Sequence, residues 1–106
     1  MGFFDFLRVP DINAGVAEYY ETAGAVLLDV RTGQEYREGH IPGSKNIPLQ
    51  EIGRADYMIP KKDTPTFVHC LSGARSRQAA AQLSRMGYTN VKNIGGISSY
   101  RGKVER

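Results

Sequence analysis

The strongest constraint on the fold is an alternation of two periodicities. Ala25-Val26-Leu27-Leu28-Asp29-Val30 is an apolar run broken by a single acid, and Phe67-Val68 lies in a second apolar run. Strands that are apolar on both faces need cover on both, which parallel strands receive from their crossover helices. Around these runs lie segments with helical spacing. Asp11 or Asn13 can cap a helix running to about Thr22, with Ile12, Val16, Tyr19 or Tyr20, and Ala23 on its buried side and Gly24 as its stop. Thr32-Gly33-Gln34-Glu35 has capping-box spacing and predicts a short helix. From Ser76 onward, Ala79, Ala80, Leu83 and Met86 share one helical face, and Gly87 ends it.

The connecting segments are shorter and more polar. Gly39-His40-Ile41-Pro42-Gly43 is turn chemistry, Asn46-Ile47-Pro48 suggests a brief strand, and Leu49 to Gly53 a helical turn. Arg54 to Pro65 reads as a surface crossover. Val91-Lys92-Asn93-Ile94 is a last strand that Gly95-Gly96 should break, with Ile97 to Arg101 forming a final turn. Strands alternating with helices predict an α/β domain with a mainly parallel central sheet flanked by helices on both faces. In such sheets ligands bind beyond the carboxyl ends of the strands. Cys70 and Asp29 both stand at strand ends, which puts them on that edge.

At 106 residues the chain reads as a single domain over 1–106, with residues 1–10 as an N-terminal arm. Met1 to Arg8 is apolar but too short and too acidic for a secretory signal, and Phe6 stands where myristoylation needs Ser or Thr. No run approaches the roughly 18 apolar residues of a membrane span, so no membrane partner is expected. A single cysteine and two histidines permit no internal disulfide and no cysteine-based zinc site. We therefore expect no metal, no cofactor and a reducing, cytoplasmic home.

The net charge of +3 is unevenly spread. Met1 to His69 carries 7 basic and 10 acidic residues, and Cys70 to Arg106 carries 7 basic and 1 acidic. A positive field on the half that holds the thiol would steer small anions toward it. Nucleic acid is not expected as a partner, because no row of aromatics is interleaved with the basic residues.

Phe67-Val68-His69-Cys70-Leu71-Ser72-Gly73-Ala74-Arg75-Ser76 is where chemistry concentrates. A thiol between a strand end and a helix N-terminus meets unpaired backbone N–H groups and the positive end of the helix dipole. That setting lowers a cysteine pKa and makes its thiolate a nucleophile near neutral pH. Cys70 is the candidate catalytic residue, and Leu71, Ser72, Gly73, Ala74, Arg75 and Ser76 are the candidate substrate-binding residues. His69 precedes Cys70 on an extended strand, so its side chain points to the opposite face and a direct pair with the thiol is disfavoured. Asp29, Arg31, Glu38 and His40 read mainly as residues that tie a turn to a strand end.

Two long signatures flank the thiol. Leu27-Leu28-Asp29-Val30-Arg31 with Glu35-Tyr36, and Gly39-His40-Ile41-Pro42-Gly43 with Asn46-Ile47-Pro48, resemble the first signature of the rhodanese-like family. Cys70 to Ser76, Ala79-Ala80 with Leu83, Gly87-Tyr88 with Asn90-Val91, and Gly95-Gly96-Ile97 resemble its second. The resemblance spans roughly Val26 to Gly102 in the family's order. It implies a sulfurtransferase in which one cysteine takes the outer sulfur of a small anionic donor, thiosulfate or a persulfide. A Cys70 persulfide then passes that sulfur to cyanide, a thiol or a protein acceptor. No metal or cofactor is implied, and a monomer or weak dimer is expected.

Some positions depart from the pattern. Tyr100 stands where many relatives have tryptophan. Leu71 puts an apolar side chain beside the nucleophile where some relatives carry a charged one, which leaves Arg75 as the loop's only fixed cation and weighs against a thiosulfate preference. Cysteine phosphatases and arsenate reductases use a related loop. The dual-specificity phosphatases of the same fold place one residue more between cysteine and arginine than the four, Leu71 to Ala74, found here. A shorter loop makes a tighter cradle, better fitted to a sulfur atom than to a tetrahedral phosphate. Arsenate reduction would also lack a second cysteine. A non-catalytic or slow sulfur-carrier and protein-binding module is the remaining alternative, and retention of Cys70 speaks for chemistry.

Overall fold

The computed structural model describes residues 10–106. The expected N-terminal arm lies outside the described residues apart from Pro10. Four strands, β1 (Val26–Asp29), β2 (Lys45–Asn46), β3 (Thr66–Cys70) and β4 (Val91–Gly96), form one sheet in the order β2-β1-β3-β4. Every pairing is parallel, so all four strands end on the same edge. The helices are α1 (Ile12–Tyr20), α2 (Gly33–Glu38), α3 (Ala55–Met58) and α4 (Ala74–Arg85), with 3-10 turns at Leu49–Arg54 and Ile97–Ser99.

The two-residue period of the strands sorts the core into two layers. Leu28, Val30, Val68 and Cys70 pack with Ala79 and Leu83 of α4 and with Ile52, Ala55 and Ile59. Leu27, Phe67 and Ile94 pack on the other face with Ile12 and Val16 of α1. Helices on both faces of a parallel sheet are the architecture expected from the sequence. Among the described residues no helix is long and apolar enough to cross a membrane.

Asp11 caps α1, its side chain accepting the Asn13 N–H at 3.0 Å. Asn13 instead ties α1 to the end of the chain, donating to Ser99 O at 3.0 Å and accepting the Arg101 N–H at 2.8 Å. Ile12 and Val16 are buried, but Tyr20 is 58% exposed and Ala23 is exposed too. The reason is length: α1 ends at Tyr20, so Ala23 lies past the helix and off its buried stripe. At α2 both bonds of the capping box form, Glu35 N–H to Thr32 Oγ1 at 3.1 Å and Thr32 N–H to Glu35 Oε1 at 2.9 Å.

Three further sequence expectations need correction. The Arg54–Pro65 crossover is not all surface, because it contains α3 and buries Ala55 and Ile59. These residues stand four apart, on one helical face, and they dock against the α4 layer. The last strand is not broken at Gly95-Gly96 but runs through both, paired His69 to Gly95 and Cys70 to Gly96. A register shift after Val68 makes Ile94 an extra residue, and Gly95 at φ +104° supplies the left-handed backbone of the bulge. Finally, α4 starts at Ala74, two residues before Ser76, directly after Gly73 at φ +107°.

Candidate active site

Cys70 is the last residue of β3 and Ala74 the first of α4, so three residues turn the chain from sheet to helix. Gly73 makes the turn possible, since φ +107° and ψ −14° is a left-handed geometry that a side chain would strain. Its N–H then points back at the thiol, 3.0 Å from Sγ. The sulfur is deeply placed: Cys70 is 1% exposed, while Leu71 and Ser72 above it are exposed.

Ser76, also fully buried, brings a hydroxyl to the same sulfur. Its Oγ lies 3.5 Å from Sγ, 2.7 Å from Asn93 Oδ1 and 3.1 Å from Gly73 O. Asn93 Oδ1 also accepts the Gly95 N–H at 3.1 Å, which fixes the oxygen end of that amide toward Ser76. A hydroxyl has one proton. With Cys70 as a thiol, S–H donates to Ser76 Oγ and Ser76 donates onward to Asn93. Burial pushes the Cys70 thiol up, but the Ser76 hydroxyl and the N–H groups of Ser76, Gly73 and Ser72 outweigh it and hold the pKa below the ordinary thiol value.

Arg75 does not hang free over the loop. Its Nη1 and Nη2 donate to Glu35 Oε1 and Oε2 at 2.7 and 3.1 Å, a two-pronged pair between α4 and α2. The Arg75 hydrogen bonds, against a smaller effect of burial, hold the Glu35 carboxyl down at about 2. Of the sequence-predicted residues, Gly73 and Ser76 therefore converge on the Cys70 sulfur, and Ser72 lies in the turn between the strand and Gly73. Ala74 starts the helix, Leu71 is 43% exposed, and Arg75 is turned to a carboxylate.

The neighbouring strand end is held by a buried charge cluster on the opposite face of the sheet. Asp29 is fully buried and takes Arg31 Nε and Nη2 at 2.8–3.0 Å; Arg31 Nη2 also donates to Gly39 O at 2.7 Å. His69, paired with Asp29 in the sheet, brings Nε2 to 3.4 Å from Asp29 Oδ2. That is a close approach without hydrogen-bond geometry, since neither ring nitrogen of His69 has a hydrogen-bond partner among the described residues. Arg31 is the firmer partner. Burial would raise the Asp29 carboxyl, but His69 and Arg31 together bring it down to about 2. His69 thus points away from Cys70, as expected for adjacent residues on a strand. His40 stacks on Tyr36 with ring centroids 3.9 Å apart. Arg31 and His40 act on turns, the role read for them from the sequence.

Sequence reasoning did not assign Glu35 or Asn93 to the site, and it read Gly95 and Gly96 only as a tight turn near it. Glu35 showed its capping-box spacing and its place in the first signature, and Asn93 only its place in a strand. Gly96 faces the loop backbone so closely that a Cβ would lie 2.3 Å from Leu71 O.

The sequence and the fold match those of known proteins. A family profile described as a rhodanese-like domain matches residues 14–103. The chain belongs to the rhodanese-like family. It is 42% identical over 71 residues to the thiosulfate sulfurtransferase PspE of Escherichia coli (strain K12), which covers 66% of this chain and 68% of that one. It is 33% identical over 99 residues to the thiosulfate sulfurtransferase GlpE of Pseudomonas putida (strain GB-1), covering 92% of this chain and 86% of the other. A solved structure described as a rhodanese with anions from E. coli matches with a TM-score of 0.72 at 36% identity, over 77% of this chain and 98% of that one. By this kinship the rhodanese-like chain is an enzyme of the sulfurtransferase class.

Proposed function

We propose that the chain transfers sulfane sulfur from a small anionic donor, thiosulfate or a persulfide, to a thiophilic acceptor through a persulfide on Cys70. One observation carries the reading: the Gly73 N–H is held 3.0 Å from Sγ at a strand-to-helix junction. Dipoles that converge on sulfur favour its anion, and each unit of pKa depression corresponds to about 1.4 kcal/mol.

On ionisation the Ser76 proton turns from Asn93 Oδ1 to Sγ, adding a charge-assisted hydrogen bond. The thiolate attacks the outer sulfur of the donor. In thiosulfate the S–S bond breaks and its electron pair leaves on sulfite, while a new S–S bond leaves Cys70 as an anionic persulfide. The terminal sulfur then lies toward the N–H groups of Ser72 and Gly73. In the second half-reaction an acceptor thiolate attacks that terminal sulfur. The Cys70 S–S bond breaks, its pair returns to Sγ, and the acceptor departs as a persulfide. No net oxidation occurs and one cysteine suffices.

Incubation with thiosulfate or glutathione persulfide tests this directly. Intact mass should gain one sulfur on the wild type and none on Cys70→Ser, and cyanide should remove it as thiocyanate. A wild type whose mass stays unchanged with both donors would sink the reading.

A further inference from the structure

Arg75 is the one cation of the Cys70 loop, and Glu35 holds it through both carboxylate oxygens at 2.7 and 3.1 Å. Neither partner is a freely solvated surface group, with 32% and 28% of the side chains exposed. Glu35 is fixed in turn, because its Oε1 accepts the Thr32 N–H at 2.9 Å in the capping box of α2. The carboxylate therefore cannot drift off the guanidinium without opening the start of α2. Arg75 stands in the first turn of α4, between Gly73, whose N–H lies 3.0 Å from Sγ, and Ser76, whose Oγ lies 3.5 Å from it, so the pair borders the reacting sulfur. Beside the nucleophile, Leu71 adds no charge.

We propose that Glu35 is a positioning residue that sets donor charge. By neutralising Arg75 it removes the full positive charge that would select a dianion, and it biases the site toward donors with one negative charge, the persulfide and thiosulfonate class. The proposal rests on the sulfur-transfer reading above and names the donor class of the same site.

Two donors that differ by one charge test it. Thiosulfate is a dianion. Methanethiosulfonate replaces one oxyanion by methyl, is a monoanion, and gives up its outer sulfur in the same way with methanesulfinate as leaving group. Glu35→Gln keeps an acceptor for the Thr32 N–H, because glutamine also serves in a capping box, but it removes the charge facing Arg75. The ratio of thiosulfate to methanethiosulfonate kcat/KM should rise about fivefold in Glu35→Gln, the size expected for one released charge a few ångströms from a second negative charge at the protein surface. The rise should fall on KM for thiosulfate and shrink at high salt. In an Arg75→Gln background the same Glu35 change should leave the ratio where it was, since the charge it would release is gone. A structural role for Glu35 would lower both donors together and leave the ratio unmoved. A ratio unchanged or lowered in Glu35→Gln, in a protein whose wild type does load sulfur on Cys70, overturns the inference alone. A wild type that loads from neither donor overturns the sulfur-transfer reading and the inference with it.

Discussion

The end of β4 runs so close beneath the nucleophile loop that a Cβ on Gly96 would stand 2.3 Å from the carbonyl oxygen of Leu71 and 2.6 Å from Ser72 Cα. The same carbonyl accepts the Ser98 N–H at 3.1 Å, so the loop rests on the strand through contact and on the 3-10 turn after it through a hydrogen bond. Gly96→Ala must push the loop off its seat. We expect a loss of about 2 kcal/mol, typical of overpacking, together with slower alkylation of Cys70. Denaturant unfolding and iodoacetamide kinetics on one preparation measure both; an alanine protein with wild-type stability and reactivity would show that the loop does not depend on this seat.

Ser76 is buried and offers its hydroxyl to the sulfur, so Ser76→Ala should raise the Cys70 pKa. Loss of one charge-assisted hydrogen bond corresponds to about one pKa unit, or about tenfold slower alkylation near neutral pH. The limiting rate at high pH, where the thiol is ionised in either protein, should stay close to wild type. A uniform drop at every pH would instead indicate a distorted loop.

Asp29 sets the acid tolerance of the fold. Its carboxyl is held at about 2 in the folded protein against 3.8 for the ordinary group. A folded pKa below the unfolded one means that the stabilisation is fully present above about pH 4 and is lost as pH falls through about 2. The contribution is about 2 kcal/mol. Asp29→Asn should lose about 3 kcal/mol at neutral pH, because Arg31 is left buried without its counter-charge. It should also show a flatter stability curve between pH 4 and pH 2 than the wild type. Equal slopes in that window would place the acid sensitivity elsewhere.

Local rules made much of the fold legible, and tertiary contact hid the rest. The apolar run around Leu28, the capping box at Thr32 and the strand-to-helix turn at Cys70 follow from periodicity and turn chemistry, and each forms. Gly95-Gly96 misled because glycine weakens an isolated strand, yet pairing with His69 and Cys70 carries β4 through both residues. Ala55 and Ile59 were passed over because their helix is only 4 residues long and a proline closes it, so the period had no room to repeat. The charge asymmetry of the two halves was legible as a count, but not which charges pair. Arg75 and Lys92 of the basic half pair with Glu35 and Glu18 of the acidic half, at separations of 40 and 74 residues. No spacing rule reaches that far. For the same reason the thiol and its serine were visible in the sequence, whereas Asn93 and Glu35, which orient Ser76 and Arg75, were not.

The pH dependence of Cys70 alkylation bears most directly on whether this sulfur is an activated nucleophile. With iodoacetamide on the wild-type protein, the rate should follow one ionisation with a midpoint clearly below that of a free cysteine side chain, about 8.5. A midpoint at or above that value would mean that burial dominates over the Gly73 N–H and the Ser76 hydroxyl, and Cys70 would be an inert core thiol.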